Sequence, residues 1–92
     1  MSAEQRLVEA LAARRIAIGL SIPKFARLIG VSERAIRSLD SGERAPGAKL
    51  LGTIVVAFED LEPVVMDYLR ERGAEVLGDF PSRLAELEVR PE

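Results

Sequence analysis

Apolar residues recur at helical spacing along most of the chain, and glycines and prolines cut the pattern into short pieces. Leu7, Leu11 and Ile18 form one stripe of a helix expected over residues 3–18, with Glu4, Arg6 and Glu9 off it and Gly19 just past its end. Ser21 is placed to cap a second helix running to Leu28 or Ile29. Its first turn tolerates Pro23 because the amides there have no intrahelical partner. Gly30 breaks that helix, and Ser32 caps a third, Glu33–Asp40, which buries Ile36 and Leu39 and is closed by Gly42. Pro46 opens the way to a fourth helix with Ala48, Leu51, Ile54, Val55 and Phe58 inward. Local signals conflict there, since residues 53–56 are β-branched and suit a strand, but the spacing of three and four favours a helix. Glu62-Pro63 starts a fifth helix through Arg72, with Leu61, Val65, Tyr68 and Leu69 on one side and Gly73 as its stop. A short helix near Ser82–Glu88 carries Leu84 and Leu87.

Composition narrows the chemistry. The chain has 92 residues, 48% of them apolar and 30% charged, which fits one small globular domain at a size where a partner subunit often adds stability. It has no Cys and no His, so there is no thiol nucleophile, no disulfide and none of the commonest general base or zinc ligand. No loop has calcium-ligand spacing and no Gly-rich nucleotide loop is present, so neither metal nor cofactor is expected. The acidic pairs Glu59-Asp60 and Glu86/Glu88 lack a partner base and read as solvated surface, so no enzymatic activity is expected. The polar start, residues 1–6, is not a secretion signal, and the apolar run Ile54–Phe58 is too short to cross a bilayer; a cytoplasmic protein without a membrane partner is expected.

The net charge of −2 hides an asymmetry. Residues 1–50 hold nine Lys or Arg against five acids, a net +4, and residues 51–92 hold four Arg against ten acids, a net −6. A basic front half suggests a face for a polyanion, and the acidic back half a face for something else.

The informative stretch runs from Leu20-Ser21 through Phe25-Ala26, Gly30-Val31-Ser32, Ile36, Leu39, Asp40 and Gly42 to Pro46. Two short helices joined by so short a turn cross steeply, which requires a small Ala26 and leaves Phe25, Val31, Ile36 and Leu39 to fill the angle. With Arg15 before it, this run resembles the helix-turn-helix domain of the lambda repressor and Cro type, the XRE family, over residues 7–58. The resemblance implies an all-α, five-helix, lambda-repressor-like DNA-binding protein whose DNA-binding domain spans 1–58 with its helix-turn-helix core at about 21–42; residues 59–92, beyond the resemblance, read as a helical extension.

It also implies roles. The third helix would lie in the major groove of double-stranded DNA, with Glu33, Arg34, Arg37 and Ser38 facing base edges. Arg can grip guanine O6 and N7 and Glu can accept from cytosine N4, which favours a site containing G·C pairs. Ser32, Ser41, Arg44, Lys24, Arg27 and Arg14, with backbone amides near residues 43–45, would hold phosphates. Arg15 and Asp40 would form a partly buried structural ion pair. Where many members have Gln at the start of the second helix, this chain has Ile22-Pro23. The implied function is a transcriptional regulator, a repressor of phage, plasmid or toxin–antitoxin type that controls its own operon, binding an inverted repeat as a homodimer. The dimer interface is expected in the acidic C-terminal third, at Leu61, Val65, Tyr68, Leu69, Val76, Leu77 and Phe80. The alternative is a protein-binding module, an antitoxin or polymerase adaptor that uses the helix-turn-helix as scaffold and captures a protein through its acidic C-terminal region.

Overall fold

A computed structural model describes residues 2–88 as helices joined by short turns, with no strand among them. The elements are α1 (Ala3–Ile18), α2 (Ile22–Ile29), α3 (Glu33–Ser41), α4 (Ala48–Ala57), a 3-10 turn (Glu59–Leu61), α5 (Glu62–Leu77) and α6 (Phe80–Glu88). Residues 89–92, the end of the expected extension, lie outside the described residues.

Local chemistry sets most boundaries. The hydroxyl of Ser2 accepts from the Gln5 amide, that of Ser21 from Lys24, and that of Ser32 from Ala35, each satisfying a first-turn donor that the helix cannot. Gly30 and Gly42 close α2 and α3 at φ +76° and +73°, a left-handed conformation that a Cβ disfavours. Between them lies α3, which packs against α2.

One core joins the elements. Leu7 and Leu11 of α1, Phe25 of α2, Ile36 of α3, Ile54 of α4 and Val65 of α5 are fully buried. Phe25 stacks on Phe58 with centroids 5.9 Å apart and rings 3° from parallel. Residues 53–56 are helical, because Leu50, Leu51 and Ile54 give α4 a buried stripe that a strand could not present to one face.

Several expectations need correction. The described residues form six α-helices, the five expected and the short C-terminal one, but several of their bounds differ. The last turn of α1 overhangs the core, so Ile18 is exposed, and the stripe is completed by Ala3 instead. In α4, Leu50 points inward, while Ala48 faces solvent. Gly73 does not stop α5: the helix passes through it and ends at Gly78, whose φ is +68°. The following helix begins at Phe80 rather than Ser82, with the Asp79 carboxylate accepting from the Ser82 amide at 3.4 Å. Leu61, Val65 and Tyr68 belong to the same core as Leu7 and Phe25, so the core does not divide at residue 58, and these three are not available to a partner. From Leu69 to Leu87 every residue is exposed, and the molecule measures 62 × 22 × 21 Å. The second half of α5 together with α6 therefore forms an arm projecting from the body. No helix among the described residues is long and apolar enough to cross a membrane.

Candidate nucleic-acid interface

The outward side of α3 is built by its own pattern. Ile36 and Leu39 anchor the helix in the core, which leaves Glu33, Arg34 and Arg37 exposed. Arg37 is tied back: Nε and Nη2 donate to Glu33 Oε1 at 3.0 and 2.7 Å. An exposed pair four residues apart contributes only about 0.3–0.5 kcal/mol, so a phosphate or guanine can displace it. Arg34 has no ion-pair partner among the described residues.

Ser38 departs from expectation. It retains only 9% of its exposure, because it sits one turn after Arg34 on the side of α3 that faces the start of α4. Arg34 and Ser38 line a cleft of about 240 Å³ with Ser32, Arg44, Pro46 and Gly47. The far wall is the first turn of α4, whose cap position is Gly47 and whose amides donate to no capping side chain. Two guanidinium groups and a set of uncapped amides thus converge on one opening. That arrangement favours an anion, since free amides and the helix dipole both place positive potential at a helix start.

The other expected phosphate ligands divide. Lys24 and Arg27 are exposed on α2, and Arg44 is exposed at the cleft mouth. The Ser32 hydroxyl accepts from the Ala35 amide and keeps its own proton to donate. Ser41 is already committed: its hydroxyl donates to the Ser38 carbonyl at 3.3 Å and accepts from the Glu43 amide, closing the end of α3.

Arg14 is not a free phosphate ligand. It pairs with Asp60 and lies over the Phe58 ring, 5.0 Å from its centroid. The hydrogen bond to Asp60 raises the Arg14 pKa above its ordinary value, and the same bond lowers that of Asp60. Arg14 therefore clasps α1 to the turn before α5 and covers the Phe25–Phe58 stack.

The expected Arg15–Asp40 pair does not form either. Arg15 Nη1 donates to the Leu20 carbonyl at 3.1 Å and so braces the α1–α2 turn. Asp40 is exposed beside Glu4, Gln5, Val8 and Glu9, at the opposite end of α1. At 1.5 Å of rise per residue, the two ends are too far apart for one side chain to span.

Two features escaped sequence reasoning. The uncapped start of α4 has a legible signal, because Pro46-Gly47 offers no Ser, Thr, Asp or Asn at the cap. The Arg14–Asp60 clasp has none, since its partners lie 46 residues apart.

No protein-family model, curated protein or solved structure matches this chain.

Proposed function

We propose that the protein is a sequence-specific, double-stranded-DNA-binding transcriptional regulator, with a lambda-repressor-like arrangement of α1–α5 and α3 as the helix that enters the major groove. The observation that carries this reading is the cleft at which Arg34 and Arg44 meet the uncapped first turn of α4, on the open side of α3. A phosphate seated there would fix the register of α3, while Arg34 and the displaceable Arg37 reach base edges. Lys24, Arg27 and the Ser32 hydroxyl would extend the hold along the backbone. The mechanism is occupancy without chemistry: a repressor bound at a promoter excludes polymerase. Two copies on an inverted repeat would place their α3 helices about 34 Å apart.

Selection of bound duplexes from a random pool tests this. An inverted repeat with G·C pairs in each half-site is the expected product. Recovery of no sequence above the starting pool contradicts sequence-specific binding. The exposed apolar arm favours one other reading, capture of a different protein, in which case duplexes would not be retained at any salt concentration.

A further inference from the structure

Two apolar surfaces of this chain are covered by none of the described residues. One is the outer face of α4, where Ala48, Gly52 and Val56 recur every fourth residue, and Val56 is 81% exposed. Shallow grooves run on both sides of Gly52 and Val56, one toward Leu28 of α2 and the other toward Met66 and Leu69 of α5. The other surface is the stripe Phe80, Leu84 and Leu87 on α6.

Each surface poses a physical problem that the single chain leaves open. A glycine inside a helix costs about 1 kcal/mol relative to alanine, and a Cβ at Gly52 would meet nothing within 4 Å. Nothing inside the chain therefore calls for its small size, whereas a second helix lying close across α4 would. For its part, α6 has nine residues and buries none of those whose exposure is described, although helices shorter than about 12–15 residues are marginal in water unless they pack. Helix α6 makes no extensive contact with its own α4.

Charge selects the occupant. Helix α4 carries Lys49 and no acid, and the groove toward Leu28 is lined by Lys49 and no acid, with Glu62 confined to the groove toward α5, while the arm from residue 69 to 88 carries five acids against three Arg. We propose that two copies exchange arms: α6 of each lies across α4 of the other, with Phe80, Leu84 and Leu87 over Gly52 and Val56 and the acids of the arm toward Lys49. Each copy supplies both the groove and the helix that fills it, so the assembly closes at two. This deepens the dimer of the reading above and rests on that reading for its purpose, but its test contains no DNA and fails or succeeds separately.

Absence of cysteine from the chain makes the test clean. Full-length Gly52→Cys and Leu84→Cys proteins are mixed and treated with a short thiol-specific cross-linker. The expected product is a mixed dimer, with each variant alone giving little self-linked species. In sedimentation, the parent should run at twice its 10.1 kDa mass, and Leu84→Glu and Val56→Glu should each run as monomers with unchanged helical circular dichroism. A monomeric parent, a Leu84→Glu protein that still dimerises, a Gly52→Cys protein that links mainly to itself, or an absence of mixed product would each overturn arm exchange.

Discussion

The two halves of α5 show what packing does to one helix. Its first half sends Val65 and Tyr68 into the core beside Leu7 and Phe25, whereas its second half carries Val76 and Leu77 into solvent at 79% and 45% exposure. Both halves have apolar residues at helical spacing, so periodicity alone does not separate them. The difference lies in what the described residues offer: α1 lies along the first half and reaches the start of the second, where the Ala3 amide donates to the Glu71 carboxylate at 3.3 Å, and from there to Leu87 every residue stays exposed. The body buries its own apolar stripes, and the arm leaves its stripe exposed.

The largest expected effect tests that contrast directly. Phe25→Ala removes a fully buried ring from the Phe58 stack and should cost about 3–5 kcal/mol by chemical denaturation. Phe80→Ala, measured at a dilution where the chain is monomeric, should change stability by no more than about 0.5 kcal/mol. Equal losses would mean that the arm is part of the folded body.

The next effect separates the two sides of α3. Arg34→Ala should weaken specific duplex binding by about 1–3 kcal/mol while leaving the melting temperature unchanged. Arg37→Ala should have a smaller effect on affinity, because that side chain must first leave Glu33. A drop in melting temperature for Arg34→Ala would make it a structural residue.

Gly73→Ala sharpens the account of the arm. Gly73 lies within α5, has no positive φ, and leaves a new Cβ in open space. The substitution should raise stability by up to about 1 kcal/mol. Destabilisation would show that the helix does not continue through residue 73 in solution.

The smallest effects concern pH, one at each end of the scale. Burial raises the Tyr68 pKa above 10.0, so its contribution is complete below pH 10 and is lost as pH rises and the unfolded chain ionises first. The Arg14 hydrogen bond lowers the Asp60 pKa below 3.8, so the clasp contributes above that value and is lost as pH falls through the folded pKa. Denaturation midpoints of Tyr68→Phe and Asp60→Asn against pH should flatten the alkaline and acid limbs respectively, leaving the opposite limb intact.

What was legible in the sequence was local. Ser21, Ser32, Gly30 and Gly42 act within a turn of their own positions, so their caps are legible directly. Gly73 and Gly78 look alike in sequence, and only the second has a positive φ, with a ψ of −138° that takes the chain out of the helix. Ser38 departs from the outward pattern of α3 because it faces the start of α4 across the cleft, which no spacing within α3 reveals. Arg15 and Asp40 fit the family pattern, but α1 is positioned so that Arg15 meets Leu20 O and Arg14 meets Asp60. Such pairings depend on the relative placement of whole helices, and residue periodicity carries little of that information.

The central claim is that α3, Arg44 and the start of α4 form a face for duplex DNA. Its most direct test is fluorescence anisotropy with a labelled G·C-containing duplex across a salt series, comparing the parent with Arg44→Ala. Six phosphate contacts in a dimer, from Lys24, Arg27 and Arg44 of each copy, predict a slope of log affinity against log salt of about −5, reduced in magnitude by about 2 in the variant. Binding that ignores salt, or identical slopes for parent and Arg44→Ala, would contradict it.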